Sequence, residues 1–351
     1  MKPVARMELR PGMVLGADVE FQGKTLFPAE TVLDDNKIER LKRFSIMCVT
    51  VKEDVDFATT HYEKLRFSEK FKHFEKKHAY NLMSYKQMML AFATSRLEIP
   101  SEALMAIYND MRPTYENGAL LLDYLYNLMP NQDELTYNHC LNSALLAGIF
   151  GEWLGMPEEE RDNLILSCFY YDIGKINLPY EILWKPGKLT PEEYEIVKKH
   201  PVIGYSMLNQ CRNVDQHVKN AVIMHHERMD GSGYPFHVQG TKIDYMARYI
   251  AVIDTYVAMA SPRSYRNALT PLQILGHFEQ NMDKYDSALL FPLMRRIADA
   301  QIGTMVELSD ETVWEVLIIN PMKLSRPILK NADSQVLDLT QRPELEIAKL
   351  T

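Results

Sequence analysis

The chain has 351 residues, 46% of them hydrophobic and 25% charged, with a formal net charge of -8. That composition excludes a disordered or fibrous chain, and the length has room for two or three domains. The acidic balance excludes a global basic field that would hold a long nucleic-acid backbone, so only a local pocket for a small anion remains.

The opening "MKPVARMELRPGMVLGADV" holds no sustained apolar segment. No run elsewhere approaches the roughly 20 residues that span a bilayer, so a cytoplasmic chain without a membrane span is expected. Residues 1–52 mix short β-prone runs with Gly and Pro punctuation, then a short helix around Asn36 to Arg43 and a strand at Met47 to Val51. They read as a small β-rich N-terminal module. Residues 53–125 read as a helical connector. It opens on "EKLRFSEKFKHFEKKHAY", where Phe67, Phe71 and Phe74 recur on one helical face. That face is either a packing surface within the chain or a seam between two copies in a homodimer.

Residues 126–300 carry helix after helix with apolar residues at three and four spacing, among them "HCLNSALLAGIFGEWLGM" and "DYMARYIAVIDTYVAMAS". The expectation is a mainly α protein built on a helical bundle. In residues 301–351 the period shifts to two in "TMVELS" and "TVWEVLIIN", with β-prone "SRPILKNA" and "SQVLDLT" beyond, which predicts a small β-rich C-terminal cap. Cys48, Cys140, Cys168 and Cys211 lie far apart without a CxxC pair, so they are expected as buried thiols rather than zinc ligands or disulfides.

The metal-capable side chains of the bundle are His139, Asp172, His200, His225, His226 and Asp254. Apart from the adjacent pair, each falls in or at the end of a different predicted helix, an arrangement that an antiparallel bundle can converge on one site. Imidazole and carboxylate donors without a thiolate suit iron, manganese, nickel or zinc, in a dinuclear rather than a structural zinc site. Each histidine taken alone also reads as an ordinary half-buried side chain. Asp254, inside "YIAVIDTYVAMA", and Asp172, inside "CFYYDIGKI", are harder to explain that way, because a buried carboxylate needs a cation or hydrogen-bond donors.

The run "YYDIGKINLPYEILWKPGKLT", then "KKHPVIGYSML", "HHERMDGSGYP" and "ARYIAVIDTYVAMASPRSYR" resembles, in that order and spacing, the HD-GYP family of bacterial metal-dependent phosphodiesterases. That family belongs to the HD superfamily and hydrolyses cyclic di-GMP. The likeness covers about Glu134 to Ala300. It implies that His139, Asp172 (as a bridging carboxylate), His200, His225, His226 and Asp254 hold one or two divalent ions, with iron or manganese ahead of nickel or zinc. It gives Asp172 and Lys175 catalytic roles. It assigns substrate binding to Lys175, Arg263, Arg266 and the Gly233-Tyr234-Pro235 turn, the last also a surface for a diguanylate cyclase or another signalling protein. Such centres lower the pKa of a water and polarise a phosphoryl oxygen, yielding pGpG and/or GMP.

Three positions depart from the family pattern: Tyr171 replaces the histidine of the His-Asp pair, Leu135 the glutamate of three-metal members, and Val257 a second aspartate. A neutral phenol is a poor ligand for most divalent ions. Two readings therefore stay open, an active phosphodiesterase and a degenerate relative that binds cyclic di-GMP or a signalling partner without turnover.

Overall fold

The computed structural model describes residues 2–9, 13–21, 24–52, 61–95, 98, 100–128, 134–183, 185, 187–261 and 268–351. Arg263 and Arg266 lie outside the described residues. The N-terminal part contains β1 (Lys2–Ala5), β2 (Val19–Phe21), β3 (Lys24–Phe27), α1 (Asp35–Arg43) and β4 (Cys48–Val51). β1 pairs antiparallel with β4, from Lys2 opposite Val51 to Ala5 opposite Cys48, and β2 pairs antiparallel with β3. Alternating Val4, Val49 and Val51 point inward with Leu15, Leu33 and Leu41 into a small core of their own.

α2 (His61–Phe67) and α3 (Glu69–Ser95) are separated at Ser68, whose hydroxyl accepts the Phe71 N–H. At 1.5 Å per residue the 27-residue α3 is about 40 Å long. Phe71, Phe74, His78, Leu82, Tyr85, Met89 and Phe92 recur at three and four spacing and are all buried. Phe71 and Phe74 meet Tyr124 at ring-centroid distances of 5.3 and 4.8 Å, so their face is taken up within the chain. His78 bonds Asn142 at 2.8 Å, and burial pushes its pKa down to about 4, which keeps this core imidazole neutral.

The helices continue as α4 (Ser101–Met111), α5 (Gly118–Asn127), α6 (Leu135–Trp153), α7 (Glu158–Tyr170), α8 (Tyr180–Leu183), α9 (Pro191–Val197), α10 (His200–Leu208), α11 (Gln216–Met224), α12 (Tyr245–Ala260), α13 (Pro271–Gln280) and α14 (Ser287–Asp299). α6 is buried all round from Tyr137 to Gly151, mostly apolar or small but with Asn138, His139 and Asn142 among its buried residues, and it forms the axis on which α7 and α12 pack. α9 and α13 start at capping boxes, Thr190 with Glu193 and Thr270 with Gln273, each followed by proline at the first helical position.

The chain ends in β5 (Met305–Leu308), β6 (Val313–Ile318), β7 (Ile328–Lys330), β8 (Val336–Asp338) and β9 (Ile347–Leu350). They form one antiparallel sheet in the order β8-β7-β6-β5-β9. Val306, Val316, Leu329 and Leu350 belong to the same buried cluster as the helices, so sheet and bundle share a core. The protein is thus mainly α, with small sheets toward both ends. Of the four cysteines expected as buried thiols, Cys140, Cys168 and Cys211 are buried, while Cys48, on the short two-stranded ribbon, is only half-buried. Among the described residues no helix is long and apolar enough to cross a membrane.

Candidate metal centre

Three chain junctions and two helices bring the site together. α7 ends at Tyr170, and Asp172 caps the 3-10 turn Ile173–Asn177 that follows. That turn packs against the start of α10, where His200 is the first helical residue. The approach requires glycine: a Cβ on Gly174 would lie 2.0 Å from the His200 carbonyl oxygen and 2.7 Å from the Gly204 nitrogen, both backbone atoms. α11 ends at Met224 and delivers His225 and His226. α6 and α12 supply His139 and Asp254 from positions 115 apart in sequence.

Asp172, His200, His225 and His226 each offer a donor atom within 4.8 Å of the others, and the first three are buried. His200 Nδ1 donates to the Val197 carbonyl at 2.7 Å, and His225 Nδ1 to the Val222 carbonyl at 2.8 Å. With each Nδ1 engaged by a backbone carbonyl, both rings turn Nε2 inward, and these nitrogens lie 3.2 Å apart. Asp172 Oδ1 is 3.2 Å from His200 Nε2 and 3.8 Å from His225 Nε2, and it is buried without a hydrogen-bond partner. Ring nitrogens and a buried carboxylate oxygen gathered around one point are the donors that a cation between them would satisfy. The donor set fits a divalent transition metal.

The electrostatics agree with that fit. Burial pushes the Asp172 carboxyl up, but the Lys175 ammonium, 2.5 Å from Oδ2, and then His200 outweigh it and hold the group well below the usual carboxylate range. Burial, then the neighbouring His200, lowers His225 to about 3, and burial with His225 lowers His226. These imidazoles stay neutral and available as ligands.

His139 and Asp254 stand beside this group as a pair, with His139 Nε2 2.9 Å from Asp254 Oδ1. Burial raises the Asp254 carboxyl, and the His139 hydrogen bond and His226 overcome it, leaving the group low. His139 Nδ1 is buried without a partner, and Asp254 Oδ2 lies 4.0 Å from His226 Nδ1. Tyr171 lies edge-on to His139 and to His225, with ring centroids 5.8 and 5.0 Å away. Its hydroxyl is 3.0 Å from Ser143 Oγ, one helical turn after His139. Burial, then Asp254, pushes this phenol well above its ordinary range, so it stays protonated. Of the other two departures, Leu135 is the first residue of α6 and Val257 is buried in α12.

The loop after His226 folds back over it. A Cβ on Gly233 would sit 2.4 Å from both the Glu227 Cα and the His226 carbonyl oxygen, so only glycine allows this contact. The Tyr234 N–H donates to the His226 carbonyl at 3.2 Å, and its ring stacks on the His226 imidazole at 4.6 Å. After Pro235, the Phe236 N–H donates to Glu227 Oε1 at 2.7 Å. Ser143 and Glu227 were missed in the sequence. Ser143 carried a signal in its spacing of four from His139, and Glu227 one in its place directly after the paired histidines.

Residues 123–289 match the HD domain family. The chain is 42% identical over 217 residues to the cyclic di-GMP phosphodiesterase response regulator RpfG of Xanthomonas campestris, covering 61% of this chain and 56% of that protein. It is 31% identical over 202 residues to a cyclic di-GMP phosphodiesterase of Pseudomonas aeruginosa, covering 58% of this chain and 49% of that protein. The chain thus spans about half the length of these curated relatives. A solved structure of an HDG"Y"P protein from Bdellovibrio bacteriovorus has the same fold, with a TM-score of 0.51 and 15% identity over 83% of this chain and 97% of that one. Residues 123–289 thus match the HD domain family, and the chain is similar to cyclic di-GMP phosphodiesterases, with a glycine-tyrosine-proline loop seated on paired histidines and Tyr171-Asp172 where the HD-GYP resemblance leads one to expect a His-Asp pair.

Proposed function

We propose that this chain is a metal-dependent phosphodiesterase that hydrolyses cyclic di-GMP to pGpG and/or GMP in the cytoplasm. The observation that carries this reading is the convergence of Asp172 Oδ1 with the Nε2 atoms of His200 and His225. Asp172, His200, His225 and His226 would hold the metal, with iron or manganese preferred, and the ion would lower the pKa of a water and polarise a phosphoryl oxygen. Lys175 keeps Asp172 ionised and lies at the partly open rim, where an ammonium can meet a phosphate. A water oxygen forms the new P–O bond as the P–O3′ bond breaks, and the departing 3′-oxygen takes a proton. That proton is the one the attacking water gives up, and the His139–Asp254 pair, 2.9 Å apart beside the group, would supply donors for a second ion. Arg263 and Arg266 are proposed as further phosphate ligands.

Protein purified without oxygen is expected to carry at least one iron or manganese per chain and to convert cyclic di-GMP. Absence of both metal and nucleotide binding would overturn the proposal. One observation favours the second reading, a binder of cyclic di-GMP or of a signalling protein on the 229–236 loop without turnover. The Tyr171 hydroxyl is committed to Ser143, which leaves His139, Asp172 and Asp254 as the donors for a second ion. Tyr171→His is accordingly expected to raise bound metal toward two per chain and to increase turnover. Equal metal and equal rates in the two proteins would show that Tyr171 does not limit the site.

A further inference from the structure

Lys198, the residue after α9, lies between two tyrosines. Its Nζ is 5.6 Å from the ring centroid of Tyr194, one turn earlier, and 5.8 Å from that of Tyr234. Tyr234 is in turn stacked on His226 of the metal-capable group. Tyr194 is 48% exposed. The carboxylate paired with Lys198 is Glu195 at 2.5 Å, itself 65% exposed, and such surface pairs exchange readily with other partners. One ammonium therefore joins an exposed aromatic face to an aromatic ring resting on the cluster.

An exposed ring offers a stacking face to any nucleobase, and stacking of this kind is tolerant of base identity. An ammonium beside it is not tolerant, because it carries donors and no acceptor. Guanine presents two acceptors, O6 and N7, on one edge, whereas adenine presents one acceptor and an amino donor. An ammonium also attracts phosphate, but without regard to the base attached.

We propose that Tyr194 and Lys198, together with Tyr234, form a guanine-reading wall at the edge of the metal cluster. Tyr194 supplies the stacking face, and Lys198 donates to the O6/N7 edge of one guanine of the substrate. This rests on the phosphodiesterase reading above and adds to it a determinant of base choice. It makes the site prefer dinucleotides in proportion to their guanine content.

The test is calorimetric binding of cyclic di-GMP, 3′3′-cGAMP and cyclic di-AMP to the metal-loaded full chain, for wild type, Lys198→Met, Lys198→Arg and Tyr194→Leu. Metal content is measured on every sample. Lys198→Met is expected to weaken cyclic di-GMP by about 10-fold or more, 3′3′-cGAMP by less, and cyclic di-AMP hardly at all, with Lys198→Arg restoring the order. Tyr194→Leu is expected to weaken all three alike, by roughly 5- to 100-fold. Metal content should not change, since neither residue belongs to the ligand group. An equal loss for all three nucleotides in Lys198→Met would overturn the proposal in favour of a phosphate contact, and unchanged binding would overturn it outright. In either case wild-type binding of cyclic di-GMP leaves the phosphodiesterase reading standing. Wild type binding none of the three would remove both.

Discussion

Replacing His225 with alanine is expected to empty the metal site and to lower cyclic di-GMP turnover by at least about 10³-fold. His225 has no solvent exposure, and its Nε2 faces both His200 Nε2 and Asp172 Oδ1. Loss of an orienting hydrogen bond around a metal typically costs 10- to 100-fold in affinity, and loss of a direct donor costs more. The substitution also leaves the Asp172 carboxylate buried with Lys175 and His200 as its remaining partners. A thermal signature separates loss of metal from general damage. At a metal concentration about 100 times Kd, binding stabilises the folded chain by ~2.7 kcal/mol. In domains of about 150–250 residues each kcal/mol moves Tm by roughly 2–4 °C. Chelation should therefore lower the Tm of the wild type by several degrees and leave that of His225→Ala unchanged. A His225→Ala protein with full metal content would show that the ion sits elsewhere.

Gly174→Ala is the second change with a large expected effect, although it touches no ligand side chain. The added methyl would overlap the backbone of His200 and Gly204, which no rotamer change can relieve. Overpacking a core typically costs 1–3 kcal/mol, and here two backbone segments must part, so a loss of about 3 kcal/mol or more is expected. The displaced segment carries His200, so metal affinity should fall with stability. Gly174 does not have a positive φ, so the penalty is steric and Gly174→Ser should behave alike. Gly155 provides the contrast: it has φ +65° and nothing within 4 Å of an added Cβ, so Gly155→Ala should cost only about 1 kcal/mol and leave the metal in place. Thermal unfolding with metal analysis decides the matter, and a Gly174→Ala protein as stable as Gly155→Ala would contradict the close approach.

The helical architecture was legible because amphipathic periods and capping residues mark it locally. α9 and α13 announce themselves with Thr-Pro at their starts. The ligand group was legible because "YYDIGK", "KKHP" and "HHERMDGSGYP" are short runs in which chemistry rather than packing dictates the residue types. β9 was not anticipated. Only Ile347 and Leu350 face inward, so it lacks the alternation that betrays a strand. Nor was the fate of the Tyr171 hydroxyl, because Ser143 meets it across a helix–helix contact that spacing along one strand of sequence does not encode. Lys198 and Tyr194 were passed over for a similar reason. On α9 alone they look like an ordinary solvated pair, and their significance comes from Tyr234, which the loop carries in from 36 to 40 positions away.

The wide spacing of the donors also governs when the site can exist. His139 and Asp254 are separated by 115 residues, while His200 and His225 are separated by 25. Closing such loops costs entropy that is recovered only after the intervening helices have docked, so contacts of this range form late in folding. The adjacent pair His225-His226 is the one local couple among these donors, and two imidazoles do not organise a bundle. In zinc fingers, by contrast, closely spaced ligands let the ion template the fold. Here the order is reversed: α6, α7, α11 and α12 must assemble around their apolar faces first, and the ion enters a cage that hydrophobic packing has already built. Metal uptake during refolding should therefore trail the recovery of helix rather than lead it.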